Sequence, residues 1–134
     1  MQLALIIALA LHVLSGVFWA GSTFTLARTG GAVGERLFWP QIGAAVIAVL
    51  TGGYLWTQFH GGGFGTMEKI LAVGIFCAFA AAGAQGAIVG SAARKFSTSE
   101  IDENVARSRI TVAQRIAAGL LAVTIVCMAV ARYV

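Results

Sequence analysis

The sequence predicts an all-α protein, a four-helix transmembrane bundle with both termini on the outer, periplasmic side. Three observations carry that expectation. Hydrophobic residues fill 59% of the 134 positions and charged residues only 10%, whereas soluble domains carry nearer a quarter charged residues. The apolar positions gather into four stretches, each close to the ~20 residues that a helix needs to cross hydrocarbon. The nine Lys/Arg and five Asp/Glu fall in the short breaks between those stretches or at their ends. Length allows one domain, 1–134, and the mean hydropathy of +0.89 excludes a disordered tail, a nucleic-acid reader and an ordinary cytosolic enzyme. The net charge of +4 is a topology signal before it is a partner signal.

The first helix is expected over about 3–26, with no Lys, Arg, Asp or Glu inside it. It lacks the positive n-region of a cleaved signal peptide, so it is expected to remain in the membrane. The second is expected over about 38–59, where Pro40 suits a first helical turn because its missing N–H is no loss there. The third covers about 67–91 and the fourth about 100–131, entering the membrane near Ile110 after a charged stub. Ser97 and Glu100 stand at capping-box spacing before that stub, and Glu103 and Arg107 are placed to pair at i,i+4. Hairpins of helices suit hydrocarbon because each segment satisfies its own backbone groups.

Orientation follows from the basic residues of the short loops. Arg28 and Arg36 lie in the first loop, and Arg94, Lys95, Arg107 and Arg109 in the third, with Arg115 just inside the next helix. The other side offers Lys69 and Arg132. The first and third loops are therefore expected on the cytoplasmic side. Arg115 either snorkels to lipid phosphate or binds an anionic group.

An ionisable side chain inside hydrocarbon is costly and marks function by default. The first helix holds one, His12, nine residues after Leu3 and so ~13–14 Å below the surface. Ser15, Gly16, Trp19 and Thr23 share its face. Gly16 leaves room for a flat, bulky group beside the imidazole, which is the usual axial ligand of haem iron. The bland alternative is a neutral histidine bonded to a hydroxyl or carbonyl of a neighbouring helix. Thr51, Cys77 and Thr124 fall at similar depth, although both threonines also suit bonds to their own backbone. His60 ends the second helix before a glycine-rich loop and reads as an interfacial residue.

Cys77 and Cys127 read as small buried hydrophobes. A copper(I) site would want thiolate, thioether and imidazole together, a set that His12, Cys77, Cys127 and Met128 would supply without any fixed spacing. Lys69, Glu68, Arg132 and Tyr133 read as interfacial anchors, or, for Lys69 and Arg132, as partners for carboxylates such as porphyrin propionates. Gln85 lies among small residues between Ala80 and Gly90 and reads as interhelical glue, and the same small-residue run would serve an oligomer interface.

The run Leu11-His12-Val13-Leu14-Ser15-Gly16-Val17-Phe18-Trp19-Ala20-Gly21 resembles the first-helix Leu-His…Trp-x-Gly signature of the superfamily that includes HemJ-type protoporphyrinogen oxidases and CopD-type copper-resistance proteins. The stretch from Arg36 to Pro40, Lys69 at the start of helix three and the basic start of helix four match the same pattern. The resemblance implies a b-type haem held by His12 in a bacterial cytoplasmic (inner) membrane. It places Gly16 and Trp19 against the haem, and Lys69 with Arg132 near its propionates. In HemJ-type proteins the reaction is oxidation of protoporphyrinogen IX. Those chains carry a further histidine late in helix three, where this one reads Ala84-Gln85-Gly86, so the resemblance bears on haem binding more directly than on that oxidase activity. No methionine- or histidine-rich outer loop of the CopD kind is present.

Three readings follow. The first is a haem b protein of the electron-transfer or oxidoreductase class, working with a quinone or porphyrinogen that enters from the bilayer. The second is a copper-handling protein. The third is a non-catalytic accessory subunit of a larger membrane complex or homo-oligomer.

Overall fold

The computed structural model of the chain describes residues 1–29 and 34–134, with side chains from Arg36 onward in the second stretch. In chain order it contains α1 (Gln2–Thr29), α2 (Gly34–Phe59), α3 (Thr66–Ala84), a π turn (Gln85–Val89), α4 (Gly90–Ser97) and α5 (Glu103–Ala131). α3, the π turn and α4 run on without interruption. The bundle therefore has four rods, and each is long and apolar enough to cross a membrane. No strand occurs among the described residues.

Three boundaries differ from expectation, each for a local reason. α2 starts at Gly34, so Pro40 lies inside the helix and not in its first turn. Proline there costs the bond to the carbonyl four residues back, and the exposed end of the helix tolerates that loss. The third rod continues through Ser97 and not only to about 91, and α5 begins at Glu103 and not near 100. Ser97 therefore caps nothing. It is helical and donates its hydroxyl back to the Arg94 carbonyl at 2.8 Å. The cap is Asp102, whose backbone is extended (φ −80°, ψ 171°) and whose carboxylate accepts from the Val105 N–H at 2.8 Å. An N-cap needs that extended backbone, which Ser97 lacks. The Glu103–Arg107 pair forms as expected, at 3.0 Å, on the exposed face of α5.

α1 packs on α2 and α5, α3 packs on α5, and α2 meets the third rod chiefly through the π turn. Small residues dominate the seam: Ala20, Ala44, Ala45, Ala48, Ala78, Ala81 and Ala117 form one buried cluster with Trp19 and Leu121. Lipid tails are as apolar as leucine, so close backbone approach and interhelical hydrogen bonds hold helices together here. Large apolar side chains such as Leu14, Leu50 and Phe76 point outward instead. A second cluster, Val89, Ala92, Ile110 and Ala113, closes the loop-three end. There Phe38 lies against Gly90, and a β-carbon at Gly90 would stand 3.0 Å from its ring.

Between these clusters lies a polar layer to which all four rods contribute. The Trp19 indole N–H donates to Gln85 Oε1 at 2.6 Å. Gln85 Nε2 donates to Thr23 Oγ1 at 2.8 Å and to Gln114 Oε1 at 3.0 Å. Gln114 Nε2 passes the chain to Gln41 Oε1 at 3.1 Å. Gln41 Nε2 closes it on Ser22 Oγ and Thr23 Oγ1 at 3.2 and 3.3 Å. Gln41, Gln85 and Gln114 are at most 1% exposed. Gln85 opens the π turn, a single wider turn of a kind that is rare within helices and frequent at functional positions.

Replacing Gln85 by alanine removes three hydrogen bonds and leaves the Trp19 N–H buried without an acceptor. Interhelical bonds in membranes average about 0.6 kcal/mol each, so the expected loss is about 2 kcal/mol. Unfolding in mixed micelles reads it. Substitution of exposed Leu50 by alanine serves as the control and should be near neutral.

Candidate functional site

The buried residues crowd toward the end of the bundle that carries the first and third loops. α2 has no buried residue after Ala48, and the first buried residue of α3 is Gly74. His12 stands at the edge of this less tightly filled half, on the stripe of α1 that also carries the buried Ala8, Ser15, Trp19 and Thr23. It is half-buried, in the seam with α2.

The ring is held by α2. His12 Nδ1 lies 2.9 Å from the Ala48 carbonyl oxygen and 3.2 Å from Thr51 Oγ1. A carbonyl can only accept, so Nδ1 carries a hydrogen and donates it. The Thr51 hydroxyl is itself spent on the Ile47 carbonyl at 2.6 Å, leaving its lone pairs toward the imidazole. In the neutral ring the remaining nitrogen, Nε2, therefore holds a lone pair, and it has no hydrogen-bond partner among the described residues. These bonds are the ones expected of a neutral histidine held by a neighbouring helix, and they leave the second nitrogen open, as in a histidine oriented for coordination. Gly52 makes it possible. A β-carbon there would stand 3.0 Å from His12 Cε1 and 3.4 Å from Nδ1, inside ordinary contact distance.

The other predicted site residues divide into two groups. Gly16, one turn along α1, is half-buried, and nothing lies within 4 Å of where its β-carbon would be, so the face beside the imidazole is open. Trp19 lies two turns away, 3% exposed and committed to Gln85 in the polar layer. Lys69 and Arg132 are both exposed, at the first turn of α3 and the end of α5. Alternation of the rods puts them at the same end of the bundle as the His12 half. The Arg132 guanidinium lies 5.6 Å from the centroid of the Tyr133 ring.

Thr51 joins the His12 site, whereas Thr124 does not. Thr124 donates to its own-helix carbonyl at Leu120 and across the seam to the Gly74 carbonyl at 2.9 Å, binding α5 to α3. Cys127 packs at the same place, its β-carbon 3.0 Å from where one on Gly74 would be. Cys77 and Cys127 are both free thiols. Among the described residues no three His, Cys, Asp or Glu gather as a metal group, so His12, Cys77 and Cys127 are not brought together as a copper set. His60 stacks on Trp56 with centroids 4.7 Å apart at the end of α2, away from His12. Its Nδ1 is buried without a partner among the described residues.

Two features of the site escape a reading of residue types, the Ala48 carbonyl and the cradle at Gly52, and a third, the amides of Gln41 and Gln114 that complete the neighbouring polar layer, was missed. Gln41 and Gln114 did leave a signal, since uncharged amides within apolar spans bond across helices. Among known protein families, characterised proteins and solved structures, no match to this chain was found.

Gly52→Val should push the imidazole off the Ala48 carbonyl. Nitrogen-15 spectra of histidine-labelled protein should show a single neutral tautomer with the proton on Nδ1 for His12 in the parent chain, and a tautomer mixture in the variant. Thr51→Val removes the weaker acceptor and should leave the tautomer unchanged.

Proposed function

We propose that this chain is an integral membrane protein of the bacterial cytoplasmic membrane that binds a b-type haem through His12 Nε2. Its role in this reading is electron transfer or oxidoreduction with a lipid-soluble partner, a quinone or a porphyrinogen. The observation that carries the proposal is the state of the His12 ring. Its Nδ1–H is committed to the Ala48 carbonyl, its Nε2 is unpartnered among the described residues, and both lie in an apolar span where an ionisable group is otherwise a cost.

Two features around the ring support this reading. Gly16 keeps the α1 face beside the ring clear. The hydrogen bond from Nδ1 to a carbonyl fixes the tautomer and the direction of Nε2. Lys69 and Arg132 supply positive charge at the same end of the bundle and would hold the carboxylates of an amphipathic ring there. Trp19 has no part in this version of the site, because its indole belongs to the polar layer. Haem, when bound, supplies one-electron chemistry, and the chain contributes ligation, burial and access from the bilayer. The basic residues of the first and third loops support a topology with those two loops in the cytoplasm and both termini outside.

Protein expressed with ample haem supply and purified in mild detergent should show a Soret band, and α and β bands on reduction, near one haem per chain. His12→Ala should lose them. His12→Gly should regain the bands on addition of free imidazole, which separates ligation from a folding role. A featureless visible spectrum of the parent, or a full haem complement in His12→Ala, would falsify the assignment.

A further inference from the structure

A second site lies at the opposite end of the bundle, where α1 stops and α5 enters the apolar layer, and it is independent of the haem reading. Arg115 Nε donates to the Ala27 carbonyl at 3.3 Å. Ala27 belongs to the last turn of α1, whose carbonyls have no partner within the helix. The bond therefore caps α1 from α5. It also fixes the Arg115 guanidinium beside the residue that precedes Arg28. Arg28 and Arg115 are both exposed, and the ion pair found among the described residues, Arg107–Glu103, involves neither.

Arg28 stands in the same last turn of α1 as the carbonyl that holds Arg115, so two positive side chains leave one helix end, where like charges repel unless something negative joins them. The C-terminal dipole of α1 contributes roughly half a negative charge, about a quarter of what the two arginines carry. Among the described residues no carboxylate pairs with either arginine. With Nε spent on Ala27, the Arg115 Nη groups still present paired donors that match the oxygens of a phosphate.

Depth decides which anion. Arg115 precedes Ala131 by sixteen residues, ~24 Å along α5, against a hydrocarbon layer of about 30 Å. With Ala131 at one boundary, the Arg115 Cα lies ~6 Å inside the other. Helical side chains lean toward the helix N-terminus, here toward that nearer boundary, which carries the guanidinium to the level of lipid phosphates. We propose that Arg28 and Arg115 form a specific site for the headgroup phosphate of one anionic phospholipid, seated where the end of α1 meets α5.

The test uses the full chain in mild detergent, titrated in parallel with short-chain phosphatidylglycerol, phosphatidylcholine of equal chain length and inorganic phosphate. Native mass spectrometry reads bound lipid and thermal melting reads stabilisation. One phosphatidylglycerol per chain should be retained in preference to phosphatidylcholine, with a rise in Tm. Arg28→Gln and Arg115→Gln should each weaken retention about fivefold, the contribution of one basic residue at an anionic surface. Arg28 makes no side-chain hydrogen bond among the described residues, so its variant tests the site without disturbing the α1 cap. Arg109→Gln, at the same end but outside the junction, should change nothing. Equal retention of phosphatidylcholine would overturn the proposal. So would equal loss in Arg109→Gln, which means a diffuse surface charge, or displacement of the lipid by millimolar phosphate, which means a free-anion site.

Discussion

The structure depends on one constraint: a buried amide in an apolar layer must find all its partners inside the protein. Gln41, Gln85 and Gln114 each come from a different rod, and each is nearly without exposure. Once one of them is placed inside the bundle, its carbonyl and amino groups demand counterparts, because leaving such a group unpaired costs about 1–3 kcal/mol. The demand is met by the other two amides, the Trp19 indole and the hydroxyls of Ser22 and Thr23. The resulting closed chain sets rotation and depth of all four rods together. Alanine seams alone would not do that, since a row of methyl groups packs nearly as well after a small slide.

The π turn belongs to the same constraint. An uninterrupted α-helix from Thr66 to Ser97 would carry a fixed angular relation between the seam residues of α3 and those of α4. Inserting one wider turn at Gln85 lets Gly74, Ala78 and Ala81 face α5 while Val89 and Ala92 still reach Phe38 and Ile110. The local backbone departure is thus paired with the buried amide that it aims.

With the loop-three half of the bundle locked by this layer and by Phe38 against Gly90, the other half is free to be more open. His12 occupies the transition. Its ring is fixed by a backbone carbonyl and a glycine cradle, so the free nitrogen is presented in a defined direction without a dedicated carboxylate. A carbonyl partner suits a low-dielectric setting, where a charged orienting group would itself need a counter-charge. At the far end, the same economy recurs in Arg115, which uses one donor to cap α1 and keeps the others for an anion.

Much of this was legible from residue order. Apolar run length, the placement of charges and the absence of any soluble-domain composition determine four membrane-length helices. A histidine nine residues into a charge-free span marks itself by its desolvation cost. Gln85 among small residues announces a bond between helices, and the Glu103–Arg107 pair follows from helical spacing. These features depend on neighbours within a turn or two, so the sequence by itself determines them. What only the tertiary structure decided is how the rods are rotated and paired. That Nδ1 of His12 meets the Ala48 carbonyl, that Gly52 is the cradle, that Trp19 turns to Gln85 and not to the histidine face, and that Gln41 and Gln114 complete one chain of amides all follow from contacts across the seams. Backbone carbonyls carry no residue-type signal, and in hydrocarbon nearly every face of such a helix is apolar. The periodicity that would orient a soluble helix is therefore too faint here to say which side faces in.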